Sequence, residues 1–184
     1  RDSGRDHVTH AELAVSNDGK FLGFKNETIA NLGAYARVFG TVTPTYLFGP
    51  CATGVYTIPA AYSNVKAVYT NTAPVDAYRG AGRPEATYTI ERLVEKAAME
   101  LGIDKTEIRM KNFPSEFPFK QTLVHTVDSG DYVAGLEKAK QMADYAGFDA
   151  RRKKSEANGK LRGIGVSSYF EACGIAPSAA VMSL

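Results

Sequence analysis

The residues best placed to do chemistry lie between Ala73 and Ala86, in the run APVDAYRGAGRPEA. Arg79 and Arg83 each carry a planar guanidinium that can donate paired hydrogen bonds to phosphate or another oxyanion. Between and beside them, Gly80 and Gly82 lack a Cβ, so the backbone can take positive φ and approach a ligand closely. The run ends at Pro84 and Glu85, which suit the first turn of a helix. A helix N-terminus offers unpaired N–H groups and a positive dipole end. The residues alone therefore describe a loop suited to an anion or an anionic cofactor.

Other chemistry is less well supported. The loop lacks the Lys-Ser/Thr end of a Walker A motif, and Glu85 stands where a dinucleotide fingerprint needs its third glycine. Gly163 and Gly165 are not followed by a helix pattern where one would be needed. His7 and His10 are spaced like ligands, but on a strand they face opposite sides, so they read as polar strand residues and no protein metal site is expected. Cys51 and Cys173 form no C-x-x-C pair and read as buried small side chains in a reduced, cytoplasmic setting. Glu27 and Glu171 read as surface or satisfied carboxylates.

The loop must be held by its flanking elements. Val8–Val15 and Phe21–Ala30 are rich in β-branched and aromatic residues and are separated by Ser16-Asn17-Asp18-Gly19, which predicts a hairpin. Gly40–Pro59 reads as a long ordered loop with a short strand, and Val65–Thr70 as a further strand. Apolar Ile90, Leu93, Val94, Ala97, Ala98 and Leu101 recur at helical spacing and predict a helix from Pro84 to Leu101, closed by Gly102. Asp104 and Glu107 open a short helix that must end by Pro114. Ser115–Thr126 reads as irregular or extended, and a third helix from about Asp131 carries Arg151–Lys154 on its tail as a solvated end. Leu161–Tyr169 reads as a strand. The order implies an α+β fold, a β-hairpin within a mixed sheet packed with two to three amphipathic helices.

Composition narrows the function classes. Lys and Arg number 22 against 20 Asp and Glu, a net charge of +2, so no basic excess marks a nucleic-acid binder. Hydrophobic residues make up 44% of 184, enough for a core without disulfide or metal staples. The chain opens at Arg1 and stops at Leu184 in an apolar stretch, which suggests a slice of something larger.

The segment Ala77-Tyr78-Arg79-Gly80-Ala81-Gly82-Arg83 resembles the active-site loop in large subunits of aerobic carbon monoxide dehydrogenases of the second form. More broadly it resembles the molybdenum-binding subunits of the xanthine dehydrogenase family. Gly4-Arg5-Asp6-His7, Thr28–Tyr35, Tyr56-x-Ile58-Pro59, Arg92–Asn112 and Gly163-Ile164-Gly165 through Glu171-Ala172-Cys173-Gly174 extend the likeness over essentially the whole chain.

The resemblance implies that residues 1–184 are an internal fragment of a molybdopterin-binding region, without a second domain. It implies a molybdenum–pyranopterin cofactor, often a cytosine dinucleotide, and oxidative hydroxylation with oxygen from water. Electrons would leave through 2Fe-2S clusters and FAD on an iron–sulfur small subunit and an FAD medium subunit, in a dimer of heterotrimers. Arg79, Gly80, Gly82 and Arg83 would lie against the cofactor, while Tyr78, Gly80 and Ala81 face the small-molecule substrate. Two departures shape the substrate. Carbon monoxide-oxidising relatives hold copper on a cysteine where this chain has Gly80, and purine hydroxylases carry a bulky aromatic residue where it has Ala81. An aldehyde or another heterocycle is therefore expected rather than CO or xanthine. The family's other cofactor loops and its general-base glutamate have no match in these residues, so the isolated chain is expected to be inactive. Apart from the resemblance, the residues leave open an anion- or nucleotide-binding module built on the same loop and helix N-terminus.

Overall fold

The computed structural model describes residues 4–171; Cys173 and the 172–174 end of the matched run lie outside them. Strand β1 (His7–Val15) pairs antiparallel with β2 (Phe21–Gly33), from His7 opposite Ala30 to Leu13 opposite Phe24. The turn between them closes with Ser16 N–H donating to Lys20 O at 2.9 Å and Gly19 N–H to Ser16 O at 2.8 Å. Side-chain alternation buries Phe24, Thr28 and Ala30 on the inner face and leaves Leu22, Glu27 and Ile29 outside. His7 is half-buried and His10 exposed, as the period of two requires.

Strand β3 (Ala61–Tyr69) lies parallel to β2, giving a three-stranded sheet in the order β1-β2-β3. Parallel neighbours need a crossover, and residues 34–60 supply it beneath the sheet. The short strand expected in Gly40–Pro59 does not form. The chain instead bonds to itself in a wide turn (Thr43–Leu47) and a tighter one (Gly49–Cys51). Leu47 N–H donates to Val42 O at 3.0 Å and Cys51 N–H to Phe48 O at 3.1 Å, so the backbone is satisfied locally while its side chains fill the core.

Helix α1 (Arg83–Leu101) starts one residue before the expected Pro84, with Gly82 as its N-cap. Ile90, Val94 and Ala98 are buried against Phe21, Phe24 and Tyr56. Gly102 takes a left-handed conformation after the last turn, and Ile103 N–H returns to Ala98 O at 3.0 Å. Asp104 then caps α2 (Lys105–Lys111), its Oδ1 accepting from Thr106 N–H at 2.7 Å and Glu107 N–H at 3.2 Å. The buried Asn112 ends this helix. Its Oδ1 accepts from Phe21 N–H at 2.9 Å and its Nδ2 donates to Gly19 O at 2.8 Å, which ties α2 to the hairpin turn.

Within the stretch expected to be irregular or extended, β4 (Phe119–Lys120) and β5 (Thr126–Val127) form a short antiparallel pair. The single third helix expected from Asp131 is in fact two, α3 (Tyr132–Met142) and α4 (Phe148–Ala157). Asp144 at φ 44° breaks the helix, and Arg151 Nη2 caps α3 by donating to Ala143 O at 2.9 Å and Asp144 O at 2.7 Å.

The strand expected over Leu161–Tyr169 is absent. The segment runs along α1 and α2, and side chains take the place of a strand partner. Arg109 Nη2 donates to Val166 O at 2.9 Å, Lys105 Nζ to Ile164 O at 3.2 Å, and Ser168 N–H to Glu91 Oε2 at 3.1 Å. The architecture is thus α+β, with one mixed sheet covered on its inner face by α1 and the crossover. Among the described residues no helix is long and apolar enough to cross a membrane.

Candidate functional site

The loop before α1 folds as it does because three successive residues take positive φ: Gly80 at 94°, Ala81 at 35° and Gly82 at 92°. For Gly82 no other residue type fits. A Cβ there would lie 2.6 Å from Leu47 C and 2.7 Å from both Phe48 N and Thr43 O, all backbone atoms of the crossover. The loop is thereby wedged against the crossover at its C-terminal end. At Gly80 a Cβ would meet the Pro84 ring, 2.6 Å from Cγ.

Within the loop, Ala81 N–H donates to Tyr78 O at 2.9 Å and Arg83 N–H to Gly80 O at 3.0 Å. The amides of Arg79, Gly80 and Gly82 have no backbone partner among the described residues. The side chains diverge. Tyr78 is 73% exposed and Arg79 also stands in solvent, whereas Arg83 is buried. Arg83 Nη1 turns back to Ala81 O at 3.0 Å, and its Nε lies 3.7 Å from Glu171 Oε1. Of the residues singled out from the sequence, the structure brings Tyr78, Arg79, Gly80, Ala81, Gly82 and Arg83 together as one turn. Only Arg79 presents a guanidinium outward.

Three residues beside the loop were not singled out as site residues. Arg5 Nη2 donates to Tyr78 O at 3.0 Å and Arg79 O at 3.4 Å, its guanidinium lies 5.9 Å from the Tyr78 ring centroid, and its Nε pairs with Glu85. The run Gly4–His7 within the family resemblance was the available signal for it. Below Arg83, Cys51 Sγ and His125 Nε2 lie 3.5 Å apart. Burial pushes the Cys51 thiol up to about 11, against a lowering by Arg83 and with a further rise from Glu171. Burial and then Arg83 hold His125 below the usual imidazole value. The pair is a neutral thiol against a neutral imidazole, with no activated nucleophile. Cys51 is buried, as expected; Glu27 is half-exposed and 3.3 Å from Lys25, also as expected. No three His, Cys, Asp or Glu side chains cluster as metal ligands among the described residues.

A groove of about 700 Å³ opens beside the loop, between the first turns of α1 and segment 164–171. Pro84, Tyr88, Tyr169 and Glu171 line it. The site is therefore a turn held by its own hydrogen bonds and by the crossover, with the Arg79 guanidinium in solvent, next to a largely apolar groove.

Residues 1–113 match the family described as the molybdopterin cofactor-binding domain. The chain is 41% identical over 182 residues to the carbon monoxide dehydrogenase large chain of Hydrogenophaga pseudoflava, covering 95% of this chain and 22% of that one. It is 34% identical to the 6-hydroxypseudooxynicotine dehydrogenase complex subunit gamma of Paenarthrobacter nicotinovorans, covering 93% of this chain and 22% of the relative. Its fold is similar to the crystal structure of quinoline 2-oxidoreductase from Pseudomonas putida 86, with a TM-score of 0.79 and 31% identity over 85% of this chain and 20% of that one. The chain spans about a fifth of the length of these relatives.

Proposed function

The chain belongs to the molybdopterin cofactor-binding domain family, and from that premise we propose that residues 1–184 are one internal region of the cofactor-binding large subunit of a molybdenum hydroxylase. The observation that carries the reading is the loop at the start of α1. Gly80, Ala81 and Gly82 at positive φ, the amides of Arg79 and Gly80 without a backbone partner among the described residues, and the solvent-exposed Arg79 guanidinium form a surface suited to an anionic, oxygen-rich group.

The molybdenum–pyranopterin group, when bound, supplies the two-electron redox change and the transfer of oxygen derived from water. The chain's own residues bind and orient. Arg79 would hold the cofactor through its backbone and guanidinium, with the Gly80 and Gly82 backbone supporting it. Arg83, buried and bonded to Ala81 O, holds the turn in shape from within. Tyr78, Gly80 and Ala81 form the substrate side. Amide donors fixed before the reaction need no reorganisation as negative charge develops, which is where such donors contribute most.

The substrate is a small aldehyde or heteroaromatic compound. Gly80 offers no thiolate to hold copper, and Ala81 leaves the pocket without an aromatic wall. We further infer a cytosine dinucleotide form of the pterin, 2Fe-2S and FAD groups on partner chains, a dimer of heterotrimers, and a cytoplasmic location. Two cysteines without disulfide spacing support the last of these. The family match gives no support to a free-standing nucleotide-binding module.

Purification of the full-length subunit with its partners tests the reading. Metal analysis should find molybdenum, and acid release should give a pterin together with a cytidine nucleotide. An assembled complex with neither molybdenum nor pterin overturns it.

A further inference from the structure

The loop that faces the cofactor is pinned at its far end by Gly82 in the crossover and by Arg83 on Ala81 O. Its near end has another fixture, and it comes from the start of the hairpin. Arg5 Nη2 donates to Tyr78 O at 3.0 Å and to Arg79 O at 3.4 Å. The same guanidinium pairs through Nε with Glu85 in the first turn of α1 and lies against the Tyr78 ring. Its side chain is only 18% exposed, and that of Glu85 only 12%.

Peptide planarity gives these contacts a consequence. In a trans peptide the C=O of one residue and the N–H of the next point in opposite directions. Drawing Tyr78 O and Arg79 O toward Arg5 therefore turns the N–H groups of Arg79 and Gly80 away from it. These are two of the amides with no backbone partner among the described residues. The Ala81 N–H bond to Tyr78 O also holds the first of these peptides within the turn. The second, beside Gly80, has no such backbone bond on Arg79 O among the described residues, and the doubly anchored guanidinium supplies its hold.

We propose that Arg5, locked by Glu85, is a positioning residue that aims the Arg79 and Gly80 amides at the molybdenum cofactor. This rests on the reading of the loop as the cofactor-facing one. Arg5 itself need not touch cofactor or substrate; it acts through the two carbonyls. Lysine at this position keeps the charge but cannot span carboxylate and carbonyls with a planar fork.

The experiment uses the full-length complex, prepared with cofactor and from molybdate-starved cells without it, and reads hydrogen exchange residue by residue across 78–83. In wild type, loading should protect the Arg79 and Gly80 amides. In Arg5→Met that difference should fall about ten-fold, the loss expected for hydrogen bonds from a charged donor, and the molybdenum EPR signal should shift. Arg5→Lys should recover part of the protection. Wild-type protection of both amides in Arg5→Met overturns the proposal and leaves the cofactor reading standing, as does a loaded wild-type complex in which neither amide is protected. A wild-type complex without molybdenum or pterin overturns the cofactor reading instead. If Arg5→Met does not assemble, Glu85→Gln, which keeps Arg5 but removes its anchor, decides the matter by the same measurement.

Discussion

Arg109 meets Glu91 through two donors on one acceptor, Nε at 3.0 Å and Nη2 at 2.9 Å from Glu91 Oε2, with the Arg109 side chain fully buried. Tyr56 OH donates to the other carboxylate oxygen, and burial, reinforced by the Glu91 charge, pushes this phenol well above its usual value. Arg109 also carries Val166 O and Lys105 O, so one guanidinium joins α1, α2 and segment 164–168. Removing one member of a buried pair strands the other. Arg109→Met should lower unfolding free energy by about 3 kcal/mol, read as the shift in urea midpoint. Replacing Arg109, Glu91 and Tyr56 together by Met, Met and Phe should recover much of that loss. If the triple variant is less stable than Arg109→Met alone, the pair contributes more than its desolvation cost.

Gly82 gives a second test, because its constraint comes from backbone rather than from flexible side chains. Gly82→Ala places a methyl within 2.7 Å of Leu47, Phe48 and Thr43 backbone atoms, at φ 92°. The crossover must move or the loop must unwind. A loss of about 2–3 kcal/mol is expected from strain and overpacking together, with lower cofactor content in the assembled protein. An unchanged melting temperature would show that the crossover yields freely and does not fix the loop.

These two sites mark what the sequence made legible and what it hid. The hairpin, β3, α1 and α2 were readable because period and punctuation agree: Ile90, Val94 and Ala98 repeat on one face, and glycine stands at each end of α1. The loop was readable for the same local reason. Leu161–Tyr169 was misread because its apolar composition fits a strand, while its backbone partners are Glu91, Arg109 and Lys105 from distant helices. No local pattern announces that a charged residue on a short helix is buried. Likewise, the break at Asp144 depends on Arg151 reaching back to cap α3, a contact that the continuous apolar repeat from Val133 to Ala146 conceals. Arg5 stands in the Gly4–His7 run of the resemblance, but its role is not legible locally because its partners Tyr78, Arg79 and Glu85 lie more than seventy positions away.

His7 makes stability depend on pH. Its ring packs edge-on against Phe48 at 5.5 Å. Burial lowers its pKa from the usual 6.5, with Glu85 and Asp6 opposing and Arg5 adding to the shift. The unfolded chain therefore takes up a proton near pH 6.5, while the folded protein does so only at lower pH. Between those values the unfolded state binds more protons, so stability falls as pH drops below 6.5 and levels off under the folded value. His125, also lowered by burial, acts in the same direction. The urea midpoint should drop between pH 7.5 and 5, and His7→Phe, which keeps the ring, should flatten the drop. An equal drop in His7→Phe would assign the dependence elsewhere.

Gly80 bears on the substrate proposed for the site. In the relatives that oxidise carbon monoxide, the resemblance implies a copper-holding cysteine at this position. The simple reversal Gly80→Cys should not install one here. At φ 94° any side chain is strained, and its Cβ would fall 2.6 Å from Pro84 Cγ. We expect a loss of about 1–3 kcal/mol, no stoichiometric copper in the purified complex, and no CO-dependent dye reduction. Gly80→Cys combined with Pro84→Ala removes the clash but keeps the positive φ, so it should regain stability without gaining CO oxidation. Copper bound one-to-one in the single variant, with CO-dependent turnover, would show that the loop can relax into the copper-holding geometry and that Gly80 alone sets the substrate.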